Sequence, residues 1–218
     1  IDGPEQMTGK QKRKVDPLAV PGRRLPQQQR SKETVRLILE ATIDLLEEGG
    51  FVGLTMQKIA DKAGINVAAV YSYFPNKHQV LAELYERQFG VIYESQMEYY
   101  QKMSQDPRHW VDIFVESLAD LAKNRMSQRG SAALRKALHA SPTLWDLNQK
   151  TIQAAARQFV PILERLEPDY TGDQSIRGRL VVETITNVFD LMQTDENEDP
   201  EVLFNELVKM IDGYLKNP

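Results

Sequence analysis

The chain has 218 residues, 27 Lys/Arg against 31 Asp/Glu, 41% hydrophobic residues and no cysteine. That is enough apolar residue to bury a core, and it excludes disulfides, thiolate metal sites and thiol catalysis, so a reducing cytoplasm is the expected compartment. No apolar run approaches the ~18 residues of a membrane span, and the net charge of −4 is unevenly spread, with 9 basic and 2 acidic side chains in residues 10–36 and an acidic remainder.

The first thirty residues hold no apolar stretch of the kind a secretory leader needs. Met7 is expected as the natural start, with residues 1–6 added ahead of it. Residues 1–30 mix Lys and Arg with Pro17, Pro21 and Pro26 and lack apolar periodicity, so they are expected to form a basic flexible arm. A concentration of positive charge at one end of an acidic body suits contact with phosphate.

Helical periodicity begins at Ser31, a candidate cap, and continues through Val35, Ile38, Thr42, Leu45 and Leu46. Gly49-Gly50 is the expected end of that helix. Two short helices follow over 55–63 and 67–73, separated by Gly64, with Thr55 and Asn66 as their caps. Pro75 breaks the chain before a long helix expected from Asn76 to about Ser104. Five more helices are expected over 108–127, 130–139, 143–166, 173–194 and 200–216. Pro161 falls inside one of them, where a kink is expected. The fold class is therefore all-α, with nine helices and no strands.

The stretch from Thr55 to Lys77 carries the strongest functional signal. Ala60 is small where a second helix must approach, Gly64 sits where the turn requires a left-handed backbone, and Ile65 and Val70 fill the angle between the helices. These are the demands of a helix-turn-helix. The second helix then offers Asn66, Val67, Ala68, Ala69 and Ser72. The small apolar members suit close entry into a major groove and contact with thymine methyls, and Asn66 suits a base edge. Tyr71, Tyr73 and Lys77 are the side-chain types that hold phosphate without reading sequence.

With those residues in place, Ser31 to about Leu84 resembles the DNA-binding domain of the tetracycline-repressor (TetR) family. The resemblance rests on Gly50-Phe51, Thr55, Ile59-Ala60, Ala63-Gly64, Val70, Tyr71-Ser72-Tyr73-Phe74 and Lys77. It covers about a quarter of the chain. It implies a TetR-like architecture, with a three-helix head over residues 31–78 and a larger effector-binding and dimerisation domain over 79–218. It also implies a homodimer built on the last two helices, a near-palindromic double-stranded DNA operator, and repression relieved by a small molecule. By position it assigns Gln57 to base or phosphate contact, and Thr55 belongs to the same DNA-facing set. Where many relatives carry Ser, Gly or Thr at 67–69, this chain has Val-Ala-Ala.

The remaining helices supply candidates for the effector site. Trp110, Phe114, Trp145, Phe159 and Phe189 are aromatic, Met97, Met103 and Met126 are adaptable neighbours, and His139 and Asn187 are polar groups in apolar surroundings. Their chemistry points to a hydrophobic or aromatic effector. The stripes Val181, Ile185, Val188, Met192 and Val202, Leu203, Leu207, Met210, Ile211, Leu215 are candidates for the dimer contact, or for the chain's own core. His78, His109 and His139 are scattered without metal spacing, and neither a phosphate loop nor a nucleophile elbow is present, so no metal, cofactor or catalytic site is assigned. Two alternatives stay open: a ligand-independent DNA-binding factor of the nucleoid-occlusion type, and an all-helical lipid- or small-molecule-binding module.

Overall fold

The computed structural model describes residues 29–216, and every regular element among them is a helix. In chain order they are α1 (Gln29–Gly53), α2 (Met56–Ala63), α3 (Val67–Tyr73), α4 (Lys77–Gln105), α5 (Trp110–Ser127), α6 (Ser131–His139), α7 (Pro142–Leu166), α8 (Gln174–Thr194) and α9 (Pro200–Lys216). Capping and proline chemistry explain most boundaries. The side chains of Thr55, Asn66, Asn76 and Asp173 accept backbone N–H bonds at the starts of α2, α3, α4 and α8. Pro142 and Pro200 each open a helix, where a missing N–H costs nothing.

Three expectations need correction. Ser31 does not cap α1, which already runs from Gln29. The rest of the arm expected over 1–30 lies outside the described residues. The chain does not leave the helix at Gly49-Gly50 either. Gly50 takes φ 63° and ψ −171°, breaking the helical path, and a further turn through Phe51 continues to Gly53. The apolar stripes on the last two helices mostly face inward. Val181, Ile185, Met192, Leu207, Ile211 and Leu215 are buried in the chain's own core, and Val188 and Leu203 pack against it. A helix pair must first cover its own neighbours; of the stripes only Val202 and Met210 stay exposed, beside Ile176, Leu180, Leu191 and Tyr214 on the outward faces.

Two apolar cores organise the molecule. One joins α1, α2, α3 and the first turns of α4 to Leu134, Ala137 and Leu138 of α6 and Leu144 of α7. The other joins the far end of α4 to α5, the later turns of α7, α8 and α9. The three-helix head is therefore seated on α6 as well as on α4. Polar bonds reinforce the seat. The Arg129 guanidinium pairs with Asp44 of α1. Gln88 of α4 donates to the Arg129 carbonyl at 3.2 Å, and Gln128 donates back to the Gln88 carbonyl at 3.3 Å. In the second core, the buried Arg177 ties three elements: it pairs with Glu167, donates to the Leu215 carbonyl at 3.1 Å and lies over the Tyr170 ring. A guanidinium so enclosed must be paired on several sides to be tolerated.

Candidate nucleic-acid interface and internal cavity

The turn between α2 and α3 is built by backbone bonds around Gly64. With φ 68° and ψ 30°, Gly64 donates its N–H to Asp61, and Ile65 donates to the Ala60 carbonyl at 3.0 Å. This pair of bonds closes a helix end and turns the chain sharply. A Cβ on Gly64 would meet nothing within 4 Å, so the requirement there is conformational. Ile59, Ala60 and Val70 are fully enclosed where the helices cross, and Ile65 packs on the same core.

α3 presents Ala68, Tyr71 and Ser72 to solvent, with Asn66 at its start, while Val67, Ala69 and Tyr73 are half-buried. Val67 and Tyr73 rest partly on the head core. Tyr71 is 53% exposed, so its phenol is available to an outside partner. The polar candidates are engaged locally. Asn66 Oδ1 accepts from the Ala68 N–H at 2.8 Å, Ser72 Oγ donates to the Ala69 carbonyl at 2.7 Å, and Gln57 Nε2 donates to Asp61 Oδ1 at 2.8 Å. Thr55 Oγ1 accepts from the Lys58 N–H at 3.2 Å.

Lys77 differs from the other residues in the set. Its ammonium donates to the carbonyls of Phe51 and Leu54 at 3.0 and 3.1 Å and sits 4.1 Å above the Phe51 ring centroid. Lys58 likewise donates to the Gly53 carbonyl at 2.9 Å. Two cations thus satisfy three carbonyls at the end of α1, where the helix dipole leaves partial negative charge. Lys77 is first a latch that holds α1 against α4. The sequence pattern gave its position but not this task, because its carbonyl partners lie more than twenty residues upstream.

The body holds a partly open cavity of about 120 Å³ between α4, α5, α7 and α8. One wall is aromatic from α4, where Tyr85, Phe89 and Tyr93 stack in succession. A second stacked set, Tyr100 of α4 with Phe159 of α7 and Phe114 of α5, also lines it. Of the expected effector residues, Phe114, Phe159 and Phe189 line this space. The others lie elsewhere. Trp110 is buried beside Phe114 outside the lining, Asn187 is exposed, and the His139 and Trp145 rings meet at a tilt at the surface with centroids 4.8 Å apart. Met103 is fully buried, while Met97 and Met126 are exposed.

Several cavity residues escaped the sequence reading. Arg125 and Arg135 reach the lining from α5 and α6. Arg125 pairs with Asp190, and Arg135 Nε lies 3.4 Å from the same carboxylate oxygen. Arg135 also donates to Asn148 Oδ1, as does the Tyr85 phenol, each at 2.9 Å. Burial, and next the like charge of Arg135, push Arg125 down to about 10. Burial also pushes the Tyr100 phenol up to about 12, which keeps it neutral. The available signal was a charge on an apolar stripe: Arg125 follows Leu118 and Ala122 at helical spacing. Among the described residues, no group of three or more His, Asp or Glu side chains is placed to hold a metal ion.

Comparison with known proteins agrees with this geometry. Residues 38–84 match the family model for bacterial regulatory proteins of the tetR family. The chain is 36% identical over 61 residues to the HTH-type transcriptional repressor KstR of Rhodococcus jostii, a stretch covering 28% of this chain and 29% of that one. It is 30% identical over 79 residues to the HTH-type transcriptional regulator AcrR of Shigella flexneri, covering 36% and 37%. The matched stretches thus span only about a third of these relatives' lengths. The fold extends further. A TetR-family regulator from Syntrophomonas wolfei superposes with a TM-score of 0.71 over 83% of this chain and 93% of its own, at 15% identity. Helix order and the helix-turn-helix head together define a helical bacterial regulator fold. Residues 38–84 carry a tetR-type DNA-binding domain, and the described residues as a whole share the fold of solved TetR-family regulators.

Proposed function

We propose that this protein is a homodimeric transcriptional repressor that binds a near-palindromic DNA operator through α2 and α3. A small molecule entering the cavity between α4, α5, α7 and α8 releases it. The observation that carries the DNA reading is the exposed tip of α3: Ala68 and Ser72 on one side, the Tyr71 phenol beside them, and a capped N-terminus facing out. Small side chains admit the helix to a major groove, and the phenol fixes its register on phosphate. Two-fold symmetry follows from the operator, since one head reads one half-site and the next major groove is about 34 Å away.

The link between cavity and head is covalent and short. Tyr85 of α4 is buried in the head core and also lines the cavity. A ligand that displaces Tyr85 therefore acts on both at once.

Genomic footprinting of the full chain is the test. Bound sites should be near-palindromes with half-sites about one helical turn apart, and Tyr71→Phe should weaken binding at every site by a similar factor, since a lost phosphate contact carries no sequence information. Absence of protected DNA, or a preference for isolated half-sites, would overturn the proposal.

A further inference from the structure

We propose that the cavity recognises a small monocarboxylate with an aromatic body, whose carboxylate seats between Arg125 and Arg135 in competition with Asp190. This rests on the regulatory reading above and deepens it by naming the ligand's chemistry.

The argument is one of charge and of unmet bonds. The cavity is apolar on most sides, yet one corner holds two guanidiniums, of Arg125 and Arg135, against a single carboxylate, of Asp190. The charged groups that act on Arg125 are Arg135 and Asp190, with the neutral Tyr85 phenol beside them. The corner therefore carries one uncompensated positive charge, before any on His139, whose Nε2 lies 3.6 Å from the other Asp190 oxygen. Uncompensated buried charge is costly, and a monoanion removes the cost.

Hydrogen bonding gives the same answer independently. Arg125 is 5% exposed, and its Nε–H has no acceptor. Two of the neutral polar groups on the lining are engaged with backbone: Gln96 donates to the Ser117 carbonyl at 3.4 Å and Thr151 to the Leu147 carbonyl at 3.0 Å. The fully enclosed donor left unmet is a guanidinium N–H, and a carboxylate is the acceptor that fits its fork.

The walls select the rest of the molecule. Two sets of stacked rings, Tyr85-Phe89-Tyr93 and Tyr100-Phe159-Phe114, offer faces and edges to a flat apolar body. The volume of about 120 Å³ holds one ring with a short arm. It is comparable to the ~150 Å³ apolar cavity that takes up benzene in another protein.

The seat is also placed to report. Arg135 stands on α6, whose Leu134, Ala137 and Leu138 belong to the head core. Drawing Arg135 from Asp190 and Asn148 to a ligand pulls on the helix under the head.

Calorimetric titration of the full chain tests this with benzoate, phenylacetate and cinnamate, each against its matching alcohol. The acids should bind at least about tenfold more tightly than the alcohols, as expected for a charge-assisted pair in a buried site. Asp190→Asn removes the competitor and should tighten the acids while leaving the alcohols unchanged. Arg135→Met balances the corner and should weaken the acids about tenfold. Equal binding of acids and alcohols, no binding of any acid, or weaker acid binding in Asp190→Asn would each overturn the proposal. Should Asp190→Asn fail to fold, the wild-type comparison and Arg135→Met decide it. Operator binding without ligand is read in parallel. DNA binding with no acid binding sinks the ligand class and leaves the regulator intact; loss of both sinks the regulator.

Discussion

Lys77 and Tyr71 stand six residues apart and belong to the same phosphate-holding set in the sequence pattern, but they do different physical work. Lys77 is half-buried, with two carbonyls and an aromatic face around its ammonium. Hydrogen bonds to a charged group are worth about 1.5–3 kcal/mol each way, and in a chain of this size 1 kcal/mol shifts Tm by roughly 2–4 °C. Lys77→Met is therefore expected to lower Tm by about 4 °C or more in a calorimetric scan, and to lower DNA affinity through the damaged head. Tyr71→Phe removes an exposed hydroxyl and should leave Tm unmoved. Glycines separate in the same way. Gly64→Ala meets open space and costs only the left-handed backbone, about 1–2 kcal/mol. At Gly130, φ is 73° and an added Cβ would come within 2.6 Å of Ile43 Cγ2. Gly130→Ala should thus lose clearly more stability in denaturant than Gly64→Ala; equal losses would show that α1 yields at Ile43.

Among the elements, the boundaries legible in sequence were those set by one residue's local chemistry. Thr55, Asn66, Asn76, Gly64, Pro142 and Pro200 each act within a few residues of themselves, so their roles can be read without a fold. What sequence left hidden depends on distant partners. Nothing near Lys77 announces the carbonyls of Phe51 and Leu54, and nothing near Arg125 announces Asp190, sixty-five residues away. The inward stripes of α8 and α9 were visible as stripes, but periodicity alone cannot say which protein covers them. α3 gives the prediction at this scale. Its cap, Asn66, faces out at the tip that is to enter the groove. Asn66→Ala should cost about 1 kcal/mol of stability. Asn66→Asp keeps a capping oxygen and should hold Tm, yet it sets a negative charge against DNA and should weaken operator binding by about tenfold or more. Fluorescence anisotropy with a labelled operator measures the second effect, and thermal melting the first.

For the molecule as a whole, the proposed pairing of two heads is tested at the outward residues of α8 and α9. Ile176, Leu180 and Leu191 on α8, and Val202, Met210 and Tyr214 on α9, recur at helical spacing and stay exposed in the single chain. If they form the two-fold contact, Leu180→Glu combined with Met210→Glu should yield a monomer in sedimentation, with the head intact by melting and operator affinity lost by at least about tenfold. A dimer that survives this pair of substitutions would place the contact on another face. No described helix is long and apolar enough to cross a membrane. The length of α4 has one more consequence. Its 29 residues make a rod of about 43 Å at 1.5 Å rise per residue. A rod of that length works as a lever arm with a mechanical advantage: a tilt of roughly 5° at one end displaces the other by nearly 4 Å, about a third of the width of a major groove. Applied to two heads moving in opposite senses, the displacement doubles. If the protein is the ligand-released dimer proposed above, a shift too slight to open the cavity visibly is then large enough to spoil the fit at both half-sites.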